Sequence, residues 1–334
     1  MVKKHRDHTS PDAVISNFAG PQFKWIYLVT ALIVVLFPLY WLVTNAFKLE
    51  QEYRAYPPVI WPSQFTMENF VKIFTESQLV ESLGNSVIIS VVTTVITLFI
   101  GSMAAYAVSR GALGYKLKHF FGVWFMVQKM YPAICTAIPV YMVMRSMKLI
   151  DTLAALIIMN TSFNLPLVIW LMMGFFEQVP YALEESAQLD GCGFIHRFFS
   201  IVLPITKPGL ISSAILTFTA TWNEFLFAVI LSIKRSKTLP VIIAGFITDR
   251  GLEWGPMAAT AMITLIPVVL LTWAVQKDFV KGMAMGAVKG WAIGLSRGPQ
   301  KSCRVCSLRA DAAFFCQDGG LRGRLPAPPA FKEG

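Results

Sequence analysis

The sequence predicts an all-α, polytopic membrane protein with six transmembrane helices and a structured loop on its cytoplasmic side. Hydrophobic residues make up 55% of the 334-residue chain and charged residues only 14%, whereas about 25% of a typical soluble domain is charged. Six apolar runs are long enough to cross a hydrocarbon core, which needs about 20 residues per helix. These runs cover residues 25–47, 86–108, 119–143, 153–176, 209–231 and 258–276.

The distribution of positive charge indicates that both termini lie in the cytoplasm. Cytoplasmic segments of membrane proteins carry an excess of lysine and arginine. Here those residues concentrate at the start of the chain, in the short loop 109–118 and after residue 276. The net charge of +10 does not predict a nucleic-acid partner, because no basic run with interleaved aromatic residues occurs. We therefore expect a multi-pass protein in the lipid bilayer, with the loop 177–208 on its cytoplasmic side.

The loop 177–208 contains the clearest local signals. Pro180 suits the first position of a helix, and the helix-favouring residues 181–190 predict about three turns. Gly191 suits the left-handed conformation that ends a helix, and a second short helix is expected to end at Pro204. From this pattern alone, the alternative is an ordinary amphipathic helix on the surface of a membrane protein.

The first helix of the loop is predicted to have two faces. Glu184, Glu185 and Gln188 form the expected polar face, which is directed at a partner protein. Leu183 and Ala187 form the apolar face, which is expected to pack against the membrane-spanning part. A short, rigid helix of this kind moves as one unit, so it suits the transfer of movement between two proteins outside the lipid.

The spacing of the loop resembles the EAA loop of permease subunits from binding-protein-dependent ABC importers. The family pattern is E-A-A, three residues, G, nine residues and then I-x-L-P. The matching residues are Glu185, Ser186, Ala187, Gly191, Ile201, Leu203 and Pro204, with Ser186 where the family most often has alanine. The resemblance implies that this loop, including Glu184, forms the coupling helix, which is seated in a cleft of a nucleotide-binding subunit. It also implies that Glu185 and Asp190 anchor this contact and that Gly191 provides the turn.

Further motifs extend the resemblance over residues 25–290. They are A-A-Y-A-V-S-R at 104–110, Ile-Pro at 138–139, W-N-E-F at 222–225 and G-A-V-K-G at 286–290. This set is most similar to the permeases of carbohydrate importers of the maltose-transporter type. In the second predicted span, Gly101 and Ala105 form a pair of small residues that lets helix backbones approach closely.

The resemblance also implies a set of partners. They are a second, related permease subunit, two copies of an ABC ATPase subunit and an extracytoplasmic solute-binding protein, which the external loop 232–257 is a candidate to touch. ATP is expected to bind the partner ATPase, so this chain is expected to need no cofactor and not to be an enzyme. The sequence agrees, because a P-loop requires a Gly-Lys pair and none occurs.

Polar residues inside the predicted spans are the candidates for a translocation path, because such groups are costly in lipid. Lys129 and Glu224 differ in depth by about 7.5 Å, and we expect them to face the pore, where they can pair. The alternative is that Lys129 bonds to a partner subunit and Glu224 reaches the outer surface. The other candidates are Asn160, Asn164, Trp222 and Asn223, for which interhelical hydrogen bonding or packing is the alternative.

The two ends of the chain are predicted to lie outside the permease domain. Residues 1–24 form a polar cytoplasmic tail, and residues 291–334 form a disordered extension, because permeases of this family usually end near the position of Gly290. Within the extension, Cys303 and Cys306 are followed by no histidine and no second cysteine pair. No metal site is therefore predicted.

These features predict the transmembrane permease subunit of an ATP-driven ABC importer in a bacterial inner membrane. Its solute is expected to be a sugar, a polyol or a related compound that moves into the cytoplasm. The alternative is a stand-alone secondary transporter or channel, which needs no ATPase and responds to ion gradients. A third interpretation is a permease-like regulatory subunit, which binds the ATPase and transports nothing.

Overall fold

The computed structural model describes residues 21–75, 78–111, 113–248 and 251–292, and these residues are mainly α-helical. The α-helices within them are α1 (Pro21–Ala46), α2 (Glu50–Tyr53), α3 (Glu68–Thr75), α4 (Leu79–Arg110), α5 (Tyr115–Met130), α6 (Ala137–Ser146), α7 (Leu153–Phe176), α8 (Tyr181–Leu189), α9 (Phe194–Arg197), α10 (Leu203–Ile205), α11 (Lys207–Trp222), α12 (Leu226–Leu231), α13 (Leu239–Gly245) and α14 (Trp254–Ala292). A tighter helical turn covers Ala133–Thr136, and a wider one covers Phe198–Val202. The strands β1 (Ile247–Thr248) and β2 (Gly251–Leu252) form one antiparallel pair.

Four helical segments of the described chain are long and apolar enough to cross a membrane. They are Trp25–Ala46, Leu79–Arg110, Leu153–Phe176 and Trp254–Ala274. They correspond to the first, second, fourth and sixth predicted spans. A bent pair, Phe194–Ile205 with Lys207–Trp222, makes a fifth if it counts as one span, and its two parts meet at 81°.

The third and fifth predicted spans are interrupted. The run 119–143 is divided between α5 and α6, because the chain leaves the helix at Tyr131-Pro132 with extended backbone. A proline lacks an N–H group and disfavours helix at the residue before it. The run 209–231 is divided between α11 and α12, which are separated at residues 223–225.

The contact between α4 and α7 forms the centre of the packed helices. A Cβ atom added to Gly101 on α4 would lie only 2.7 Å from Val168 Cγ1 on α7. Ala105, one turn further along α4, is fully buried in the same cluster as Val168 and Met172. The prediction that Gly101 and Ala105 permit close helix packing is therefore confirmed.

The limits of the helices differ from the predicted domain limits at both ends. The first helix begins at Pro21, before the predicted boundary at residue 25, and the last helix runs through to Ala292. Residues 1–20 and 293–334, which contain Cys303 and Cys306, lie outside the described residues.

Candidate coupling site

Helix α8 lies where the sequence predicts the coupling helix. Pro180 precedes the helix with extended backbone, one position earlier than expected. At the other end, Gly191 has φ = +84°. Its N–H donates to the Gln188 carbonyl at 3.0 Å, and Cys192 N–H donates to the Ala187 carbonyl at 2.9 Å. These two bonds are the standard helix ending in which glycine adopts the left-handed conformation, so the predicted role of Gly191 as a helix stop is confirmed.

The faces of α8 differ from the prediction at two residues. Glu184 is buried, with 5% of its surface exposed, and does not lie on the expected polar face. Leu183 is 46% exposed and does not pack inward. Ala187 is buried as predicted, and Glu185 is exposed. The other exposed residues predicted to serve coupling are Ser186, Asp190 and Gly191.

The burial of Glu184 is explained by its partners on α4. Its Oε1 atom lies 2.8 Å from Arg110 Nε, and both side chains are almost fully buried. The Arg110 N–H is not aligned with that oxygen as a hydrogen bond, so the contact is an ion pair. Tyr106 Oη donates to Glu184 Oε2 at 2.7 Å. A buried carboxylate is tolerated when a cation and a hydrogen-bond donor compensate it, and this requirement rotates α8 so that Glu184 points inward.

Arg110 connects three helices at this point. Its Nη2 atom donates to the carbonyl of Phe176 at 2.6 Å and also to the carbonyl of Val179. Its guanidinium group stacks over the ring of Tyr181 at 3.8 Å from the ring centre. The end of α7 and the start of α8 are therefore held to the end of α4 by one side chain.

Tyr106 joins the second half of the loop to the same cluster. Its ring centre lies 4.5 Å from that of Phe194, 5.0 Å from that of Phe198 and 5.8 Å from that of Phe176. Tyr106 and Arg110 are four residues apart on one helix, so their side chains share a face. The role of this pair was not predicted, although the motif A-A-Y-A-V-S-R contains both residues.

The second half of the loop does not end at Pro204 as predicted. Ile201 lies in the wider helical turn, and Leu203 and Pro204 begin the short helix α10, which runs to Ile205. Pro204 stands in the first turn of that helix, where its missing N–H costs no hydrogen bond. The direction of the chain instead changes between Ile205 and Lys207, at the 81° bend.

The predicted pair of intramembrane charges does not form. Among the described residues, Lys129 Nζ donates to the Phe163 carbonyl at 3.3 Å. Glu224 accepts hydrogen bonds from the N–H groups of Phe227 at 2.7 Å and Ala228 at 3.1 Å. The first N–H groups of a helix have no partner within the helix. Glu224 therefore caps α12 and does not contact Lys129.

The other polar candidates are divided between buried and exposed positions. Asn164 is buried and donates to Thr221 Oγ1 on α11 at 3.2 Å. Trp222 is 1% exposed, and its Nε1 donates to the Thr264 carbonyl on α14 at 3.2 Å. Asn160 is buried and bonds within α7, whereas Asn223 is exposed. Asn164 and Trp222 thus join helices, as the alternative interpretation of these residues predicts.

A second cluster missed by the sequence reasoning ties two predicted external loops together. Asp151 Oδ1 accepts hydrogen bonds from the backbone N–H groups of Ile233, Lys234, Arg235 and Ser236 at 2.9–3.1 Å. Burial raises the pKa of Asp151, but these N–H groups favour the carboxylate more strongly, so its pKa lies well below the usual range. Asp151 has a positive φ of 58°, a conformation that aspartate tolerates better than most residues.

The helical membrane fold is that of the transmembrane subunits of ABC importers. A solved bacterial ABC transporter involved in the import of the acidic polysaccharide alginate contains a chain with the same fold. The TM-score is 0.64, and the match covers 78% of this chain and 99% of that chain at 21% identity.

The chain belongs to the family of binding-protein-dependent transport system inner membrane components, which matches residues 98–277. The probable ABC transporter permease YurM of Bacillus subtilis is 35% identical over 82% of this chain and 90% of its own length. The trehalose/maltose transport system permease MalG of Thermococcus litoralis is 34% identical, with 77% of this chain and 93% of that protein covered. The diacetylchitobiose uptake permease DasC of Streptomyces coelicolor is 33% identical, with 80% and 97% covered.

Family membership settles the general class of the protein. It is a multi-pass inner-membrane permease subunit of an ABC transporter, and it is not itself an enzyme. The interpretation as a stand-alone secondary transporter or channel is not favoured, because the relatives are components of ABC systems.

Proposed function

We propose that this permease subunit carries a sugar, a polyol or a related solute into the cytoplasm. The observation that carries the proposal is the similarity to permeases named for trehalose and maltose and for diacetylchitobiose, each over more than three quarters of the chain. The expected assembly has a second, related permease subunit, two copies of an ABC ATPase and an extracytoplasmic solute-binding protein. Six spans with both termini in the cytoplasm would place α8 on the side of the ATPase.

In this proposal, α8 transmits movement from the ATPase to the spanning helices. The exposed residues Glu185, Ser186 and Asp190 contact the ATPase, whereas buried Glu184 is linked to Arg110. ATP binds to the partner subunits, and their closure displaces α8 as a unit. Because Arg110 also bonds to the end of α7, the displacement reaches α4 and α7 together. This coupled movement of the helices shifts the transporter between two states that open to opposite sides of the membrane.

The experiment that tests the proposal compares three forms of the affinity-tagged chain in detergent: wild type, Glu185→Lys and Glu81→Lys. Glu185 and Glu81 are both exposed, but Glu81 lies in the first turn of α4, far from α8 along the chain. We expect wild type and Glu81→Lys to retain the ATPase subunit and Glu185→Lys to lose it. Equal recovery in all three forms would contradict the role of α8.

Uptake into cells separates the remaining interpretations. Transport of a radiolabelled sugar should continue after an ionophore collapses ion gradients and should stop when ATP is depleted. The opposite pattern would support a secondary transporter. Recovery of the ATPase with no uptake of any sugar or polyol would support a regulatory subunit.

A further inference from the structure

The segment that connects α2 to α3 runs back along the last turns of α1. The Tyr40 hydroxyl donates to the Ile60 carbonyl at 2.9 Å. Further along the segment, the Thr66 N–H donates to the carbonyl of Phe47, just after the end of α1, at 3.0 Å. Tyr40 and Phe47 are separated by about 10 Å along the helix axis at a rise of about 1.5 Å per residue. The segment therefore lies beside α1 over this distance and does not extend away from it.

Side-chain contacts fix the segment at both of its ends. Glu52 Oε1, on α2, accepts a hydrogen bond from the Ser63 N–H at 2.9 Å and another from the Ser63 hydroxyl. The ring of Phe65 packs edge-on against Trp61, with the ring centres 5.6 Å apart, and its centre is 6.2 Å from that of Phe47. The segment is thus a defined surface attached to the end of α1.

The exposed side chains of this surface are mainly aromatic and aliphatic. Tyr56 is 95% exposed and Trp61 is 62% exposed, and Ile60 and Phe65 are exposed to about the same extent as Trp61. Residues 55–67 include no charged residue. A contiguous apolar surface of this kind marks contact with a membrane or with another protein.

Helix α1 shows the depth of this surface in the membrane. Residues 25–43 of α1 include no buried position, so the sides of this helix are open to lipid. Tyrosine and tryptophan are enriched where a spanning helix passes from hydrocarbon to headgroups, and Tyr40 and Trp41 lie in the last two turns of α1. The hydrogen bond from Tyr40 places Ile60 and its neighbour Trp61 at the same level.

This depth favours lipid over a water-soluble partner. Ala46 is the last residue of α1, and Tyr40 lies about 9 Å before it along the helix axis at about 1.5 Å per residue. Ile60 is therefore below the end of the helix, at a level that a protein in the aqueous phase does not reach. The surface is also continuous with the exposed sides of α1, which border lipid.

From this arrangement we propose that residues 55–67 form a membrane-surface anchor, which enters the headgroup region of the bilayer beside α1. Tyr56 and Trp61 lie at the boundary between headgroups and acyl chains, where a ring leaves water while its O–H or N–H group keeps polar partners. Ile60 and Phe65 add apolar area. Because the segment has no charge, the anchor needs no anionic lipid and binds a zwitterionic surface.

The test measures the surroundings of single spin labels at positions 56, 61 and 51. Tyr56→Cys, Trp61→Cys and Gln51→Cys are made in a chain whose five native cysteines are replaced by alanine. Each is assembled with cysteine-free partner subunits in phosphatidylcholine liposomes, without binding protein. Gln51 is the matched control, because it is exposed on α2, whose other residues include Glu50 and Glu52. Electron paramagnetic resonance then compares collisions of each label with oxygen, which concentrates in lipid, and with a nickel chelate, which stays in water.

We expect oxygen collisions to exceed nickel-chelate collisions several-fold at positions 56 and 61, and the reverse order at position 51. An excess of nickel-chelate collisions at position 61 would overturn the proposal, because the segment would then lie in water. Weak collisions with both reagents at position 61 would also overturn it, because the second permease would then cover the segment.

A second measurement keeps an aromatic ring at position 61 and applies if the labelled variants do not assemble. Trp61→Phe and Trp222→Phe each remove one indole, the first exposed and the second buried. The fluorescence of each variant is subtracted from that of wild type, in liposomes with and without lipid brominated near the headgroup. The signal of Trp61 should be quenched several-fold more than the signal of Trp222. Equal quenching of the two signals would overturn the proposal.

Discussion

Glu184 Oε1 and Arg110 Nε are 2.8 Å apart, and the two side chains are 6% and 3% exposed. This buried ion pair joins the predicted coupling helix to α4, the longest candidate membrane span among the described residues. Removal of one partner from a buried pair is far more costly than removal of a pair at the surface, because the remaining charge is left without compensation.

We therefore predict that Arg110→Gln destabilises the protein by about 3–5 kcal/mol. The control is Arg54→Gln, since Arg54, the residue after α2, forms an exposed ion pair with Glu50 at 2.7 Å. An exposed pair contributes about 0–1 kcal/mol. Denaturation in detergent measures both losses, and the double variant Arg110→Met with Glu184→Leu should recover part of the stability. Equal losses for Arg110→Gln and Arg54→Gln would show that the buried pair has no special role.

Gly191→Val should reduce uptake, because position 191 has φ = +84° at the end of α8. A residue with a Cβ atom is less favourable by about 1–2 kcal/mol in this conformation, so the end of the helix would reorganise. Gly193→Val is the matched control, because Gly193 has φ = −66° and open space around it. Asparagine at position 191 should retain most of the uptake. The prediction fails if valine is tolerated equally at 191 and 193.

Gly101→Val should weaken the contact of α4 with α7, because its Cβ atom would lie 2.7 Å from Val168. Overpacking of this kind costs about 1–3 kcal/mol. Gly84→Val on the same helix controls for helix propensity, since nothing lies within 4 Å of the Cβ position there. Denaturation in detergent should show a larger loss at position 101. A loss of the same size at both positions would mean that the helices adjust without cost.

The stability lost in Asp151→Asn should depend on pH in a defined way. The pKa of Asp151 is lower in the folded protein than in the unfolded chain, because backbone N–H groups bond to the carboxylate. Its contribution is therefore complete above the unfolded pKa of about 3.9 and is lost as the pH falls toward the folded pKa. Asparagine keeps the tolerance for positive φ and removes the charge.

Denaturation of wild type and Asp151→Asn at several pH values measures this dependence. The difference in unfolding free energy should be constant between about pH 5 and pH 8 and should shrink below the unfolded pKa of about 3.9. A difference that instead declines between pH 6 and pH 8 would contradict the assigned direction of the pKa shift.

Local sequence signals predicted the helices better than their orientation. Residues 181–190 and Gly191 contain enough helix-favouring and helix-ending signals to define α8 almost to the residue. The rotation of α8 was wrong at Glu184, because its hydrogen-bond partner Tyr106 is 78 positions away along the chain. Helical periodicity alone favours burial of Leu183, and only the position of Arg110 reverses that preference.

The candidates for the translocation path show the same contrast, because the sequence identified the unusual residues but not their contacts. Composition was sufficient to identify Lys129 and Glu224 as unusual in an apolar region. Their partners depend on where the helices break, because Glu224 caps the start of α12 and Lys129 reaches the carbonyl of Phe163 on α7. The predicted pair therefore failed for a reason that residue spacing cannot reveal.

The sequence by itself determined that this protein is helical and membrane-embedded, and its loop spacing resembled that of ABC importer permeases. Those properties depend on composition and on residues that are neighbours in the chain, so they can be inferred without knowledge of the folded structure. The tertiary structure decided that Glu184 faces Arg110, that Asp151 accepts hydrogen bonds from residues 233–236, and that α5 and α7 border an open cavity. Each of these depends on the rotation and packing of helices distant in sequence, which only the folded chain brings together.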